Sequence, residues 1–483
     1  MTILNPLASG TFSANLIENL TADVNSVDKK LSGVMPLSTE LDAFLARLAL
    51  IDSAKESIDL QYYIYHGDLT GHALTWALVN AAKRGVKVRL LLDDMNTSRN
   101  DEGMSALDQH INIEVRLFNP FAFRYFRGLQ LMHDFRRINR RMHNKSMTVD
   151  GKVTVVGGRN IGDEYFGANE TLSFGDFDLL TVGNVVAVVQ HQFDIYWDSD
   201  QVYPVSTFIK HNFSIQQLNQ NQMKLRDAYM QLMESNYSFN MAGASILQTF
   251  SLPSPPFYWA QSYVMYDAPK KIRSFDTAPD EFMINALFPY LKNIERSLVL
   301  VSPYFVPGKV GADYLLSLVK KGIEVTVITN SLAATDVVAV HGGYRRYRRR
   351  LVKGGISLFE VKVNTDNKPS HWKGLRRATL HAKTFCADQR YIFVGSFNLD
   401  PRSAHLNTEL GILVDSEALA NDVVGNMHDS LKRNSYRLAL NAAQHIIWHD
   451  DLYNTSTTTE PDTSLWRRIG AVIMGWLPIE RHL

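Results

Sequence analysis

The sequence predicts an α/β fold built from two similar halves, and three observations support this prediction. A strand, a helix and a second strand follow one another in each half of the 483-residue chain. A glycine, Gly85 or Gly322, ends the helix in both halves. The two patterns lie about 238 residues apart, a spacing that is typical of a duplicated domain rather than of a short structural repeat. Parallel strands joined through a helix favour a layered α/β fold with right-handed crossovers.

The elements can be assigned in order. In the first half, alternating residues predict a strand over 57–64, a helix over 70–83 and a strand over 84–93. The matching segments of the second half are 297–304, 311–320 and 321–330. A further pair of strands follows in each half, and the residues that could take part in catalysis lie on or beside this pair.

Polar segments predict the domain boundaries. A helix-prone stretch over 216–238 leads into Leu252-Pro-Ser-Pro-Pro-Phe257, where adjacent prolines indicate a linker. The predicted organisation is an N-terminal domain over 1–255, with 200–255 as a helical linker, a C-terminal domain over 256–453, and a polar linker with an amphipathic segment over 454–483.

Composition limits the kinds of site and partner that this chain can have. The 50 lysines and arginines balance 49 acidic residues, so an anionic partner must be held by local patches. The single cysteine, Cys386, excludes an intramolecular disulfide framework and a site built from several thiolates. The sequence has no run of about 18 apolar residues, and its first residues lack the basic region of a secretory signal. A lipid substrate would therefore have to be reached from the membrane surface.

Two copies of a His-x-Lys-x-x-x-x-Asp motif are the most informative feature. They comprise His143, Lys145 and Asp150 in the first half and His381, Lys383 and Asp388 in the second. Seven residues after each aspartate begins a turn with a shared pattern, consisting of Gly157, Gly158 and Asn160 in the first copy and Gly395, Ser396 and Asn398 in the second. Side chains two apart on a strand point to one face, so each histidine is expected beside its lysine.

This set of residues suits the cleavage of a phosphodiester. Lysines and asparagines donate hydrogen bonds to the non-bridging oxygens. One histidine attacks phosphorus while the other protonates the leaving alkoxide. No carboxylate cluster that would hold a metal ion is evident in the sequence, and we expect neither a metal nor another cofactor.

A nucleophilic imidazole needs its other nitrogen held by a carboxylate or a carbonyl group. Glu409 and Asp176 follow the two turns and are the predicted orienting carboxylates, with Asp178 as the alternative to Asp176. We interpret Asp150 and Asp388 as turn residues, because Asp150-Gly151 is a strong hairpin signal.

These motifs resemble the signature of the phospholipase D superfamily, and more closely that of the bacterial cardiolipin synthases of the C type. The segments that carry the resemblance include Arg141-Met-His-Asn-Lys-Ser146, Gly395-Ser-Phe-Asn-Leu-Asp-Pro-Arg-Ser403 and Leu406-Asn-Thr-Glu409. The resemblance runs from about residue 40 to the end of the chain, without a departure at the motif positions.

The resemblance implies two similar phospholipase D-like α/β/α sandwich domains related by pseudo-two-fold symmetry, with one metal-free active site between them. It implies phosphatidyl transfer through a phosphatidyl-histidine, from phosphatidylglycerol or phosphatidylethanolamine to phosphatidylglycerol. His143 would be the nucleophile and His381 the acid/base, and the exchange of these roles stays open. The protein would act peripherally at a bacterial inner membrane, on its cytoplasmic face, and a need for an accessory protein is open.

Two other activities use the same residues. A hydrolase with water as acceptor would release phosphatidic acid, and nothing in the motifs distinguishes it. A nuclease is disfavoured because the chain is near neutral and lacks a long basic stripe, so no nucleic-acid partner is expected.

Three segments could reach a lipid surface. Residues 121–127 and 136–141 combine aromatics with arginines, which suits a membrane interface or, alternatively, a core with a solvated face. A separate basic cluster over 344–350 is interpreted first as one exposed helix face and second as a surface that steers anionic substrates. Apolar residues over 465–477 follow helical spacing, and they either anchor the chain in the interface or dock back onto the second domain. The Thr-rich linker over 454–459 favours the anchor.

Overall fold

The computed structural model describes residues 15–97, 100–124, 126–169, 172–209, 213–235, 244–273, 282–363 and 377–483. The chain divides into two compact units. Unit 1 comprises residues 1–168, 177–277 and 407–410, and unit 2 comprises residues 169–176, 278–406 and 411–483. A short segment from each sequence half therefore belongs to the unit formed mainly by the other half.

The strands are, in chain order, β1 (Leu31–Leu37), β2 (Ser57–Tyr62), β3 (Lys87–Asp93), β4 (Ile113–Phe118), β5 (Ser146–Val149), β6 (Val153–Gly157), β7 (Leu172–Gly175), β8 (Asp178–Gly183), β9 (Val202–Pro204), β10 (Tyr258–Tyr266), β11 (Ser297–Val301), β12 (Glu324–Asn330), β13 (Ser357–Val361), β14 (Arg377–Leu380), β15 (Thr384–Ala387), β16 (Tyr391–Gly395), β17 (Leu410–Asp415), β18 (Ser435–Leu440), β19 (Ile446–Asp450) and β20 (Thr455–Thr457). The α-helices are Leu16–Thr21, Glu40–Ser53, Leu69–Lys83, Asp101–Asp108, Arg127–His133, Phe135–Ile138, Asp163–Phe166, Asn184–Trp197, Ile215–Glu234, Ser245–Phe250, Met283–Lys292, Gly308–Lys320, Val338–Lys353, Pro401–His405, Glu417–Asn434 and Leu465–Trp476.

Unit 1 is built on a mixed sheet with the strand order β9-β4-β3-β2-β5-β6-β8-β1-β10. Strands β2, β3 and β4 are parallel, as expected for strands joined through helices. The helix Leu69–Lys83 between β2 and β3 starts at Asp68, whose side chain accepts a hydrogen bond from the backbone N–H of Gly71. Central strands β5 and β6 are buried along their whole length, so the first motif lies in the interior of the sheet.

Unit 2 repeats the first seven strands of this order and adds two strands at one edge. Its strands run β20-β19-β18-β13-β12-β11-β15-β16-β17, and β11, β12 and β13 are parallel. Strand β15 follows the second motif and pairs with β11 and β16, just as β5 follows the first motif and pairs with β2 and β6. The predicted α/β fold and its internal repeat are confirmed.

The exchanged segments pair with the backbone of their host unit. In unit 2, β7 runs parallel to β14, with Gly175 opposite Leu380. In unit 1, Thr408 forms a parallel bridge with Met142. Both contacts end immediately before a motif histidine. The residue that follows Gly175, Asp176, is thereby brought towards His381, and the residue that follows Thr408, Glu409, is brought towards His143.

Two predicted boundaries differ from the structure. Strand β10 lies beyond residue 255, yet it pairs with β1 and so belongs to unit 1. Within the Thr-rich stretch predicted as a linker, Thr455–Thr457 forms strand β20, which pairs with β19. In both cases long-range strand pairing, which local composition does not report, decides where a unit ends.

Among the described residues, no helix is both long and apolar enough to cross a lipid bilayer.

Candidate active site

The first histidine is fixed by the exchanged segment 407–410. The backbone N–H of His143 donates to the carbonyl of Thr408 at 2.9 Å, and the N–H of Thr408 donates to the carbonyl of Arg141 at 3.0 Å. The hydroxyl of Thr408 also donates to the side-chain oxygen of Asn144 at 2.9 Å. These bonds place Glu409, the next residue, against the imidazole.

The Nδ1 atom of His143 lies 2.9 Å from Oε2 of Glu409, and both side chains are buried. An ionised carboxylate can only accept a hydrogen bond, so Nδ1 donates to Glu409, and Nε2 is the ring nitrogen on the side away from the carboxylate. The backbone of Glu409 is itself held, because its N–H donates to Asp267 at 3.0 Å and its carbonyl accepts from the N–H of Asp267 at 3.0 Å. Lys271 pairs with the same aspartate at 2.8 Å.

Lys145 lies next to its histidine, as the spacing predicts. Its ammonium donates to the carbonyl of His143 at 2.6 Å and lies 5.5 Å from the ring centre of Tyr63. The ring of Tyr63 meets the imidazole of His143 edge-on, with 5.0 Å between the centres. The bond to the carbonyl uses one of the three protons of the ammonium.

Asn160 forms two side-chain hydrogen bonds within unit 1. Its side-chain oxygen accepts from the N–H of Ile64 at 3.1 Å, and its amide donates to the hydroxyl of Tyr165 at 2.9 Å. The asparagine therefore ties the turn after β6 to the end of β2. Its NH2 group has a second proton beyond the bond to Tyr165, and the prediction that Asn160 donates to a phosphate depends on that proton.

The second histidine is fixed by the other exchanged segment. The N–H groups of His381 and Ala382 donate to the carbonyl of Gly175 at 2.7 and 3.1 Å. The next residue, Asp176, places Oδ2 at 2.5 Å from Nδ1 of His381. Each histidine is thus oriented by a carboxylate from the opposite half of the sequence, which the sequence alone does not specify.

Lys383 lies beside His381. Its ammonium donates to the carbonyl of His381 and lies 2.9 Å from Nδ1 of the same residue. Because Nδ1 already carries a proton that points at Asp176, it has no lone pair to offer, so the donation goes to the carbonyl. The lysine, the histidine and the aspartate form one compact buried group in unit 2.

Asn398 differs from Asn160. Its backbone N–H donates to Ser403 at 3.3 Å, but its buried side-chain oxygen has no hydrogen-bond partner among the described residues. Buried polar atoms are almost always satisfied, so this oxygen is an acceptor with capacity for a further donor.

Asp178, the alternative to Asp176, forms buried ion pairs and makes no hydrogen bond or ion pair with a motif histidine among the described residues. Its carboxylate pairs with Arg47 at 2.9 Å and with Arg159 at 3.3 Å, and all three side chains are buried in unit 1. It lies opposite Gly157 in the β6–β8 pairing, where a Cβ on the glycine would lie 2.0 Å from Oδ1 of Asp178. The glycine leaves the space that the carboxylate occupies.

The motif aspartates hold turns. Asp150 accepts backbone hydrogen bonds from Lys55, Glu56 and Ser57 at 2.8–3.2 Å. Asp388 accepts the same set of bonds from Glu295, Arg296 and Ser297 at 2.7–3.2 Å. Both have a positive φ, 52° and 56°. Each joins the hairpin after its motif to the start of the neighbouring parallel strand.

The remaining turn residues also have backbone roles. The N–H of Gly158 donates to the carbonyl of Phe177 at 3.2 Å, and that of Gly395 donates to the carbonyl of Lys383 at 3.3 Å. Ser396 is fully buried.

Sequence reasoning missed several residues that support the site, namely Tyr63, Asn144, Asp267, Lys271 and Thr408. Most of them act through contacts between residues far apart in the chain, and all except Asn144, the variable position of the first motif, lie outside the duplicated motif. Thr408 gave a signal, since it directly precedes a predicted orienting carboxylate. The others left none in the pattern.

One further group of potential metal ligands lies in unit 1. The ligand atoms of His66, Asp68 and Glu164 lie within 4.8 Å of one another. Asp68 already accepts from the N–H groups of Gly71 and Asp163 at 3.0 and 2.8 Å, and His66 lies 3.2 Å from Glu164. Capping and an ion pair account for this arrangement.

Comparison of the sequence with known proteins identifies a family. The sequence profile of the family described as "Cardiolipin synthase, PLD-like domain" matches residues 48–197 and 287–430. The chain is similar to cardiolipin synthase C of Escherichia coli (strain K12), with 40% identity over 93% of this chain and 95% of the relative. It is 26% identical to the major cardiolipin synthase of Bacillus subtilis (strain 168), over 86% and 72% of the two chains.

A solved structure shares the fold. The crystal structure of phosphatidylserine synthase from Haemophilus influenzae Rd KW20 superposes with a TM-score of 0.58 at 14% identity, covering 86% of this chain and 92% of the other. The matched profile covers more than half of the chain and includes both motifs. The resemblance inferred from the motifs is confirmed: the chain belongs to the cardiolipin synthase family of phospholipase D-like domains.

Proposed function

We propose that this protein is a phosphatidyltransferase that makes cardiolipin through a covalent phosphatidyl-histidine. The observation that carries the proposal is the pairing of each motif histidine with a buried carboxylate, which engages Nδ1 and makes Nε2 of each ring the nitrogen that bonds to phosphorus or carries the transferred proton. The similarity to cardiolipin synthase C over nearly the whole chain supports this choice of reaction.

In the first step, Nε2 of His143 attacks the phosphorus of phosphatidylglycerol or phosphatidylethanolamine. An N–P bond forms, the bond from phosphorus to the headgroup oxygen breaks, and protonated His381 gives its proton to the departing alkoxide. In the second step, His381 takes a proton from a hydroxyl of phosphatidylglycerol. That oxygen attacks phosphorus, the N–P bond breaks, and cardiolipin leaves.

Glu409 and Asp176 stabilise the positive charge that each imidazole gains. A carboxylate at 2.5–2.9 Å from Nδ1 favours the cationic ring. The effect assists His143 when its nitrogen bonds to phosphorus and assists His381 when it holds a proton.

Lys145, Lys383 and Asn398 are the proposed donors to the non-bridging oxygens. Each lysine brings a charged group with three N–H donors beside its histidine, and the side-chain amide of Asn398 carries two N–H donors. Charged donors in a water-poor site stabilise the additional negative charge of the transition state. We propose Asn160 as a weaker contributor, because two of its bonds are already used within unit 1.

The substrates place the protein at a membrane surface. We propose peripheral association with a bacterial inner membrane, from its cytoplasmic face, with phospholipids as partners.

The test is an incubation of the purified chain with labelled phosphatidylglycerol in vesicles, with and without phosphatidylethanolamine. We expect cardiolipin and free glycerol from the wild type and no product from His143→Ala. Acid-quenched samples should contain a labelled protein adduct in the wild type and none in His143→Ala.

His381→Ala distinguishes the two roles. It should accumulate the adduct but release cardiolipin at least about a hundredfold more slowly. Phosphatidic acid in place of cardiolipin would show that water is the acceptor, which would overturn the transferase proposal while retaining the catalytic residues. An adduct on His381 in His143→Ala would reverse the assigned roles.

A further inference from the structure

The C-terminal helix Leu465–Trp476 packs on unit 2 through its smallest residues. A Cβ added to Gly342, on the helix Val338–Lys353, would lie 2.8 Å from both the carbonyl of Ala471 and the N–H of Gly475. A Cβ on Gly475 would lie 2.9 Å from the carbonyl of Gly342. The two helix backbones therefore cross in direct contact, and the C-terminal helix is firmly seated rather than free on a linker.

Polar anchors fix the rotation of this helix. Arg467 donates to the carbonyls of Leu332 and Thr335, and Arg468 donates to the carbonyl of Glu460 at 2.8 Å. Ser464 caps the first turn. Because both arginines are used within unit 2, they hold the opposite side of the helix outward.

That outward side is apolar and carries the large residues. Trp466 is 81% exposed and Trp476 is 80% exposed. The same surface includes Leu465, Ile469, Ile473 and Leu477, all partly or largely exposed. At 100° per residue these six positions fall within an arc of about 120°. A surface helix normally buries such residues and exposes its small and polar ones, and here the arrangement is inverted.

Arginines border this apolar face. A groove of about 540 Å³ beside the helix is lined by Val472 and Trp476 together with residues of the neighbouring helix, including Arg345, Arg346 and Arg349. Arg346 pairs with Glu480 at 3.1 Å, and Arg345 is 4.0 Å from Glu460. Arg349 is exposed and has no ion pair with any residue that the structure describes.

We propose that the exposed face of this helix and the adjoining arginines form a docking surface for an anionic phospholipid membrane. Tryptophans at both ends suit the headgroup boundary, and the 12 residues, about 18 Å long, lie flat in the interface rather than span it. Cationic groups beside an apolar strip match a phosphate above an acyl chain, and this charge complementarity favours lipid over a second protein. The inference extends the proposed function by naming the surface that brings the chain to its substrate.

The test measures co-sedimentation of the full chain with vesicles of phosphatidylcholine, with and without an equal part of phosphatidylglycerol. We expect Trp466→Ser/Trp476→Ser to weaken binding to the mixed vesicles at least about tenfold. Arg345→Gln/Arg349→Gln should weaken it by about fivefold for each charge removed, and only on the vesicles that contain phosphatidylglycerol.

Matched control variants in unit 2 distinguish binding through this surface from nonspecific binding of exposed apolar or basic residues. Val310 is 83% exposed, and Lys320 and Lys321 are exposed cations, so Val310→Ser and Lys320→Gln/Lys321→Gln should bind like the wild type. Equal losses in these controls would overturn the proposal. So would failure of the wild type to bind, or a dimer in solution that only the tryptophan variant abolishes.

Turnover of a soluble phosphodiester, bis-p-nitrophenyl phosphate, is measured in the same variants. The wild-type rate should be retained, because none of these residues lies in the proposed catalytic set. Vesicle binding without cardiolipin synthesis would refute the proposed function and leave this surface intact. If the tryptophan and arginine variants bind vesicles and make cardiolipin like the wild type, the proposed function stands and the docking surface is refuted.

Discussion

At the residue scale, two aspartates on either side of Phe177 have opposite tasks. Asp176 contacts His381 within unit 2, whereas Asp178 forms ion pairs with Arg47 and Arg159 within unit 1. The chain passes from one unit to the other between them. A matched pair of substitutions can therefore separate catalysis from stability.

Asp176→Asn should lower the turnover number by roughly 10²–10⁴-fold, because a neutral amide no longer stabilises the charged imidazole. Its melting temperature should stay near that of the wild type. Asp178→Asn should instead cost about 3–5 kcal/mol of unfolding free energy, because two buried guanidinium groups lose their counter-charge. Kinetics with labelled lipid and urea denaturation measure the two quantities, and equal effects of both variants would contradict the division of roles.

At the element scale, the motif aspartates join the hairpins β5–β6 and β15–β16 to strands β2 and β11. Asp150 is buried and Asp388 is half-buried, although both accept the same pattern of three backbone N–H groups. Water can replace more of the lost bonds at the second position, so the two turns should differ in how much they contribute.

We expect Asp150→Ala to lower the unfolding free energy by about 2–4 kcal/mol and Asp388→Ala by about 1–2 kcal/mol. Asp150→Asn is the control, because asparagine tolerates the positive φ and keeps one oxygen acceptor. Urea denaturation gives the free energies. A larger loss at Asp388 than at Asp150 would show that burial does not set the cost.

A second element-scale feature is the clamp around Glu460, which holds the start of the C-terminal segment to the helix Val338–Lys353. Burial alone would raise the pKa of Glu460, but His341, whose Nε2 lies 3.6 Å from the carboxylate, and the ion pair with Arg348 at 2.9 Å outweigh it and lower the pKa to about 2. A carboxyl group whose pKa is depressed on folding stabilises the fold above its unfolded pKa of 4.5. That contribution is lost as the pH falls from 4.5 towards 2.

Glu460→Gln should therefore be less stable than the wild type by about 3 kcal/mol at pH 6. The difference should shrink steadily below pH 4.5, as the wild type loses the contribution that the variant already lacks. Chemical denaturation at a series of pH values tests this expectation. A difference that stays constant down to pH 2.5 would show that Glu460 stabilises by packing alone.

At the scale of the whole molecule, the exchange of segments ties the two units together in sequence. Residues 407–410 belong to unit 1, but they lie between β16 and β17 of unit 2. Residues 169–176 belong to unit 2, but they lie between elements of unit 1. Unfolding of either unit therefore releases the chain on both sides of a segment that holds a carboxylate against a histidine in the other unit.

We expect a single cooperative transition in calorimetry, in which the van't Hoff and calorimetric enthalpies agree. Asp388→Ala, which weakens a turn in unit 2, should lower the temperature of the whole transition. Two separate transitions, with only one shifted by this substitution, would mean that the units unfold independently in spite of the exchange.

The sequence alone determined the parts of this protein that depend on local pattern. Strand alternation, glycine-terminated helices and the fixed spacing of the two motifs are properties of adjacent residues, so they predicted the α/β repeat and the family. The placement of His143 beside Lys145 and of His381 beside Lys383 followed from the same spacing, although these residues directly precede strands β5 and β15 rather than lie within them. The turn geometry of Asp150 also followed from the sequence.

Only the tertiary structure decided which distant groups meet. Glu409 reaches His143 across 266 residues, and Asp176 reaches His381 across 205. The sequence favoured Asp176 as the orienting carboxylate but left Asp178 open, because strand pairing, not composition, assigns the two residues to different units. The same holds for the C-terminal helix, whose apolar periodicity fits burial and exposure equally well. Backbone contact at Gly342 and Gly475 selects the small face for packing and leaves the tryptophans outward, because only residues without bulky side chains let two helices approach so closely.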